Sequence, residues 1–580
     1  MANFDTAVQR ARVEFARFFG LGRSVPLCGE KSSYELRNFR LLSDGSMQRR
    51  EGFLPLTVLP SAVRGVFSTV RQGQTQTYAV AGSEVYVLER SGPEWTARAI
   101  GSLNSTQGKV CFFCYDSSVL LLDGKDVWTL TPERAFKTPV YVPLYGDGWD
   151  MLDSTSWVVN ERPNLLTSKL RVRFWIKSAN RVSLSTLAPA SVDAALVNGK
   201  PYNTWQYDAT KQELMLGVLP PSGSLLEIYV TMPEGAVSDP ARVTCASRAD
   251  VIGDGVDGQV VFYGGGVPSG RLWMSRVVPQ ESALSVREQI PDACMLYVTS
   301  YDLLTVGDGL QPITGTCRHY GRSLIFTSGG TFMTDEPKGA QGRLAVKAIN
   351  SRYGCSTEGG CCVSGNAPMT VWGKQVLCWN SNTDEPDECN AHDVSASVSS
   401  LFDADFGQTA TAICHPSMEE VWFYHPGRGG RVFVRQQTGD WTTFDGFEPD
   451  GLFTLGERMG FFKGGELFAF DGSATVDTDA QGTAHPIQAE YASSFMDFGH
   501  VGRSKRICGG TVVAQGESLE LTLRTVKGVE RRVALTGRAD RVSVMQSRAR
   551  AGRFRFLRVG VRSECEGPLR VWGIRLEARG

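Results

Sequence analysis

Short apolar runs arrive in twos and threes along most of this chain, parted by glycine turns. Phe67–Val70, Tyr78–Val80 and Val85–Leu88 form one set, and Val110–Tyr115, Val119–Leu122 and Val127–Leu130 the next. Leu324–Thr327 continues the pattern, followed by Thr370–Trp372 with Val376–Trp379 and by Val421–Tyr424 with Val432–Arg435. Met459–Phe462 and Leu467–Phe470 end it. Small antiparallel sheets repeated in this way predict a β-propeller. Such a fold is a scaffold, so function has to be argued from sites.

Composition agrees with an all-β chain. Glycine contributes 63 of 580 residues, and glycine supplies the positive φ angles that tight turns need. The length suits about three or four ordinary domains. No run of about 20 apolar residues occurs, so no membrane span is expected. The first residues lack a basic segment followed by an apolar one, so no secretory signal is expected.

Five segments follow from the pattern. Residues 1–25 are expected to form a helical arm, with Val8, Phe15, Phe18 and Phe19 as apolar positions and Gly20 and Gly22 ending the helix. Residues 26–150 begin the propeller. Strands over 34–53, joined at Asp44–Gly45, are expected to close it against its last blade. Residues 151–240 form an inserted β-sandwich-like domain. Its strands are Leu170–Ile176, Val182–Leu184, Val192–Val197, Leu214–Val218 and Leu225–Val230, with a turn at Asn198–Gly199. The propeller resumes over 241–475, with a polar excursion at 383–408 and a flexible link at 473–484. A basic β-sandwich domain occupies 485–580.

Net charge is −1, but it is unevenly spread. Residues 501–580 hold 18 Lys or Arg against 7 Asp or Glu, and the first 500 hold 42 against 54. Arg503, Lys505, Arg506, Arg548, Arg550, Arg553, Arg555 and Arg558 are the basic candidates for facing a channel or a neighbour. Such a block suits nucleic acid, an acidic partner or plain solvation.

Candidate chemistry is sparse. Of 14 cysteines, Cys355, Cys361, Cys362, Cys378 and Cys389 are the densest group. They read as a zinc site, a disulfide or buried free thiols, and two clean CxxC pairs are missing. Cys111 and Cys114 fall on opposite faces of a strand, which is wrong for a shared metal. His415 and His425 flank one strand, and with Cys414 they read as a metal site or as hydrogen-bonded loop residues. The stretch 253–258 reads as a turn, without the ligand spacing of a calcium loop. No nucleophile elbow, zinc-protease helix, Walker motif or dinucleotide fingerprint occurs. Trp95, Trp128 and Trp441 read as repeat aromatics, with Asp440 tying the hairpin before Trp441 in a turn similar to the Asp-box of sialidase-type propellers. Glycoside cleavage would need two carboxylates about 5–9 Å apart, which sequence alone does not select. The expectation is therefore no enzyme and no cofactor.

The order of segments resembles podophage-type tail nozzle and head-to-tail hub proteins, the family that stabilises packaged DNA. The residues that carry this are Asn38–Phe53, Val261–Tyr263, Leu272–Ser275, Ile313–Thr314, Tyr320–Phe326, Phe495–Gly499 and Gly502–Arg506. The resemblance implies a virion tail component assembled in the host cytoplasm as a homo-oligomeric, hexameric ring. It would sit below the portal and adaptor, near fibre or spike proteins. It would enclose the channel for double-stranded DNA and retain the genome until ejection, and it brings no catalytic residues. The alternative is a glycan-binding or glycan-cleaving β-propeller of a tail tip or a secreted protein. Trp149, Trp205 and Trp273 would be its first candidate platforms. A cell-surface adhesion protein is a further rival.

Overall fold

The computed structural model describes residues 10–23, 32–71, 73–92, 94–115, 118–148, 150–152, 157–236, 248–252, 259–263, 271–275, 295–301, 303–319, 322–335, 346–380, 390–427, 430–498, 504–547 and 552–579. Trp149, Cys389, Arg503, Arg548, Arg550, the stretch 253–258 and the side chain of Trp273 lie outside the described residues.

Residues 10–15 form a strand, not the expected helix, and Val8 lies outside the described residues. β1 (Arg10–Phe15) pairs antiparallel with Arg570–Arg579, setting Val13 opposite Leu576 and Phe15 opposite Ile574. Arg10-Ala-Arg-Val-Glu-Phe15 alternates polar and apolar residues, a period of two that outweighs the sparser helical spacing. β2 (Ser33–Arg37) lies between Trp441–Phe444, which it meets in parallel, and Ala489–Ser493, antiparallel. β3 (Phe39–Leu41) and β4 (Met47–Arg49) form a hairpin. Its turn is at Asp44–Gly45, where Gly45 has φ +84° and Asp44 Oδ1 accepts from Ser46 N at 3.0 Å. The hairpin joins the C-terminal strand Arg570–Arg579. β5 (Gly52–Val58) instead completes the sheet of Gly451–Leu455, Arg458–Lys463 and Glu466–Asp471. Gly52 passes so close to the next loop that a Cβ would lie 1.9 Å from the Val476 carbonyl oxygen.

Five further antiparallel sheets have four strands each. In one of them Val119–Leu122 is buried on both faces. Val119 and Leu121 pack with Tyr78, Val80 and Val85 of the preceding sheet, and Leu120 and Leu122 pack with Phe113 and Leu296. Burial of both faces explains why these runs are unbroken rather than alternating.

The expected fold class is corrected. The architecture is almost all-β and built of several open sheets, none of them closed or curled among the described residues, and they do not all stand as separate four-stranded blades. One nine-stranded sheet instead runs from Thr411–Cys414 to Trp441–Phe444. It continues through β2 to Ala489–Ser493, Leu557–Ser563, Ser518–Thr525 and Glu530–Thr536. The repeat at 411–444 and the C-terminal region are thus one hydrogen-bonded sheet. A six-stranded sheet containing β1, β3 and β4 faces it across Leu521, Leu523, Val559, Val512, Ile574 and Leu576.

The insert strands fall within about two residues of those expected: Lys169–Trp175, Arg181–Ser183, Ser191–Val197, Glu213–Leu216 and Leu225–Thr231. A six-stranded and a three-stranded sheet enclose Leu170, Val172, Val182, Leu214 and Ile228. Two segments expected to be irregular are folded. Val398, Phe402 and Phe406 are buried, the two rings stacked 3.9 Å apart. Val476–Thr478 and Ala484–Pro486 pair as a hairpin.

Candidate functional site

The threading of β2–β5 between the repeats and the C-terminal strands leaves an open cleft of about 900 Å³. Its wall is set by Arg50, whose side chain is buried. Arg50 donates from Nη1 and Nη2 to Asp477 Oδ1 and Oδ2 at 2.8 and 2.7 Å. Its remaining donors reach Asn38 Oδ1, the Glu51 carbonyl and the Asp445 carbonyl, at 3.0, 2.9 and 2.9 Å. All five guanidinium N–H groups are therefore used. Arg37 bridges Asp445 and Glu490 at 3.1 and 2.8 Å, and Asn38 Nδ2 donates to Asp445 Oδ1 at 2.6 Å. These planar groups are fixed by one another and by backbone, which pre-orients the wall.

The rim is more open. Lys463 pairs with Glu448 at 2.9 Å, and its ammonium holds Glu448 below the usual carboxylate range. His485 Nε2 meets Asp479 Oδ2 at 3.0 Å, and that hydrogen bond with backbone donors lowers Asp479 likewise. Neither carboxylate has the raised value that a general acid uses at neutral pH. Glu466 is the lining carboxylate with no hydrogen-bond or ion-pair partner among the described residues. Phe53, Phe447, Phe461 and Phe468 close the floor; being core residues, they present little ring face.

Two smaller clefts are present, one of them beside the same strands. One, of about 620 Å³, holds Arg40 between Glu51 and Glu420. In the same cleft Arg49 donates to backbone carbonyls of Cys565, Thr475 and Gly567, and burial pulls its pKa down. Another, of about 540 Å³, is lined by the first strands of several sheets, with Arg64, Lys109 and Asp450 as its charged residues.

The residues singled out from sequence are scattered. Cys355 is fully buried, donates to the Thr357 carbonyl at 3.2 Å, and is pushed up to about 12 by burial. Burial raises Cys362 and Cys378 as well, and all ten described cysteines are free. Among the described residues no group of three His, Cys, Asp or Glu is placed to hold a metal ion. His415 is buried and its pKa lowered by burial; His425 Nδ1 meets Thr409 Oγ1 at 2.8 Å. Trp441 donates from Nε1 to the Val394 carbonyl at 2.9 Å, Asp440 Oδ1 accepts from Gly20 N at 3.1 Å, and Trp95 and Trp128 pack in inter-sheet cores. Trp205 packs on the insert core. Arg506, Arg553 and Arg555 are exposed, whereas Lys505 is buried with its ammonium on the Asp497 carbonyl. Arg558 is also buried, against Tyr34.

Sequence reasoning missed Arg40, Arg50, Glu51, Glu420 and Asp477. The one signal available was an unusual density of charge at Arg49-Arg50-Glu51 beside apolar runs.

No protein-family model matches the chain, and no curated protein matches it. Solved structures do align with it. A CNH domain described as AfRom2 is 8% identical, covering 72% of this chain and 99% of its own, at a TM-score of 0.35. An exo-β-1,3-galactanase from Phanerochaete chrysosporium with galactose is 10% identical, covering 91% and 100%, at 0.23. A fungal alcohol oxidase of the AA5 family, in complex with copper, is 9% identical, covering 88% and 93%, at 0.27. At these scores the likenesses assign no reaction to this chain. Enzymes are among the structures that align over most of the chain, and the exclusion of catalysis made from sequence is not carried forward. None of these three structures is described as a virion protein, and none of them tests the tail resemblance.

Proposed function

We propose that the 900 Å³ cleft binds a glycan of low net charge. The observation that carries this is its balanced, pre-oriented polar lining. Arg37, Arg50, Arg431 and Lys463 stand against Asp445, Glu448, Glu466, Asp477 and Asp479, four cations to five carboxylates, with His485 beside them. A strongly ionic ligand finds no net field there. A polyhydroxylated one finds fixed donors and acceptors at close spacing, the arrangement by which concave sites orient polar ligands. Glu466 is the acceptor available to a sugar hydroxyl. A hydrogen bond to a charged group contributes about 1.5–3 kcal/mol, so Glu466→Gln is expected to weaken binding by about 10- to 100-fold in calorimetric titration with neutral oligosaccharides. Unchanged affinity in that variant would remove the cleft from the account. Reducing-end release, followed in the same samples, distinguishes binding alone from cleavage.

A second reading, a ring-forming subunit of a podophage-type tail that surrounds passing DNA, is favoured by one observation. Strands Glu530–Thr536 and Ser543–Ser547 end their sheets. Beside these edges Val526, Val529, Val542 and Val544 are 53–64% exposed. Unpaired edges with apolar side chains invite pairing with another copy, and repeated heterologous contacts close a ring. Mass photometry is expected to show closed oligomers, six copies on this reading, that Val544→Glu disperses. A wild-type monomer with no partner in virion extracts contradicts it.

A further inference from the structure

We infer that Arg558, Arg524 and Arg23 form a binding site for a phosphate-class oxyanion beside Tyr34 of the nine-stranded sheet. The inference is independent of the glycan reading.

The buried guanidiniums of this protein follow a pattern that Arg558 breaks. Each of the others meets oxygen acceptors: Arg40 and Arg50 face carboxylates, and Arg49 donates to three backbone carbonyls. Arg558 is 9% exposed and its Nε is buried with no hydrogen-bond partner. Among the described residues no carboxylate pairs with it. Two rings hold the guanidinium instead: its Cζ lies 3.3 Å from the Tyr34 ring centroid and 4.3 Å from that of Phe495. Stacking fixes the plane of the group without neutralising its charge.

The neighbours add positive charge. Ser518–Thr525 and Leu557–Ser563 are antiparallel, and Arg524 stands directly opposite Arg558 in their register. Directly opposite residues share a sheet face, and like charges so placed repel. Arg23 lies over the same Tyr34 ring at 4.3 Å. Its carboxylate partner, Glu35 at 2.7 Å, is shared with Arg431 at 2.9 Å. Glu35 is thus divided between two guanidiniums, and neither Arg558 nor Arg524 has an ion-pair partner among the described residues. Burial lowers the pKa of Arg558, and Arg524 and Arg23 act in the same direction against the Tyr34 hydroxyl.

A bound oxyanion would relieve this repulsion and take the bidentate hydrogen bonds that a planar guanidinium offers. The tetrahedral, multiply charged phosphate group fits best, since it can accept from more than one arginine at once. Free phosphate and the phosphodiester of a nucleic-acid backbone share this chemistry.

The full-length chain is titrated at low salt with inorganic phosphate by calorimetry, and with a labelled random-sequence DNA duplex by anisotropy. Saturable binding of either ligand is expected, at least tenfold weaker in Arg558→Gln and in Arg524→Gln. Arg524 is exposed, so its substitution tests the site even where Arg558→Gln impairs folding. Binding of phosphate alone assigns a small-molecule anion. Binding of both, with affinity for the duplex falling steeply as salt rises, assigns the backbone phosphodiester. Absence of both, or equal affinity in the wild type and the variants, overturns the inference.

Discussion

Replacing Arg40 with methionine is expected to cost about 3–5 kcal/mol of folding free energy, the range for removing one partner of a buried ion pair. Arg40 Nε donates to Glu420 Oε1 at 2.7 Å, and Nη2 donates to Glu51 Oε1 at 3.0 Å. All three side chains are at most 10% exposed, so the variant leaves two carboxylates buried without a counter-charge. Urea denaturation followed by tryptophan fluorescence measures the loss. The triple variant Arg40→Met, Glu51→Gln, Glu420→Gln is expected to recover much of it, because the isolated charges, not the missing contact, carry the cost.

The pH dependence has a definite sign. Burial alone would raise the pKa of Glu51, and the Arg40 guanidinium more than reverses this, so the folded value lies below the usual one. Glu51 thus contributes stability above its unfolded pKa of about 4.3, and this is lost as pH falls through the lower folded value. Without Arg40, burial, the largest influence, is opposed only by a backbone hydrogen bond and by Arg50, so the folded pKa rises and the variant's penalty is present at neutral pH and shrinks on acidification. The gap between wild type and Arg40→Met is expected to narrow from pH 7 towards pH 4. A gap that widens would contradict this assignment.

Trp422→Ala is expected to cost a comparable amount, about 3–5 kcal/mol for a fully buried tryptophan. Trp422 has no exposed surface, and its ring meets Phe444 and Phe470 at 5.3 and 5.2 Å in edge contacts. Its Nε1 donates to Glu420 Oε2 at 3.1 Å. Trp422 and Arg40 therefore grip the two oxygens of one buried carboxylate, and their losses should not add. A double variant whose loss equals the sum of the singles would show that Glu420 does not couple them.

The strands were legible where period and turn chemistry agreed. Leu225–Thr231 alternates strictly in burial, and Asn198–Gly199 supplies two positive φ angles, +48° and +75°, at the turn that follows Ser191–Val197. The first fifteen residues misled because Val8, Phe15, Phe18 and Phe19 also fit a helical stripe. What decided for β1 was a partner strand more than 550 residues away, which no local window contains. Asp477 was hidden for the same reason: in a Thr- and Ala-rich link it has the composition of a loop, and its role comes from Arg50, 427 positions earlier. Arg558 was legible as a basic residue, but its burial against Tyr34 and Phe495 depended on β2 entering the C-terminal sheet. Sheet membership was the least readable property. Apolar runs announce strands, but not whether a sheet ends after four strands or continues to nine.

The account's central claim is that the cleft beside Arg50 receives a glycan. The most direct test is to determine the structure of the chain with the tightest-binding oligosaccharide from a panel of neutral glycans. The account predicts sugar density in that cleft, with a hydroxyl on the Glu466 carboxylate and the Arg50–Asp477 pair undisturbed. A glycan seated elsewhere, or a panel with no saturable binder, would contradict it.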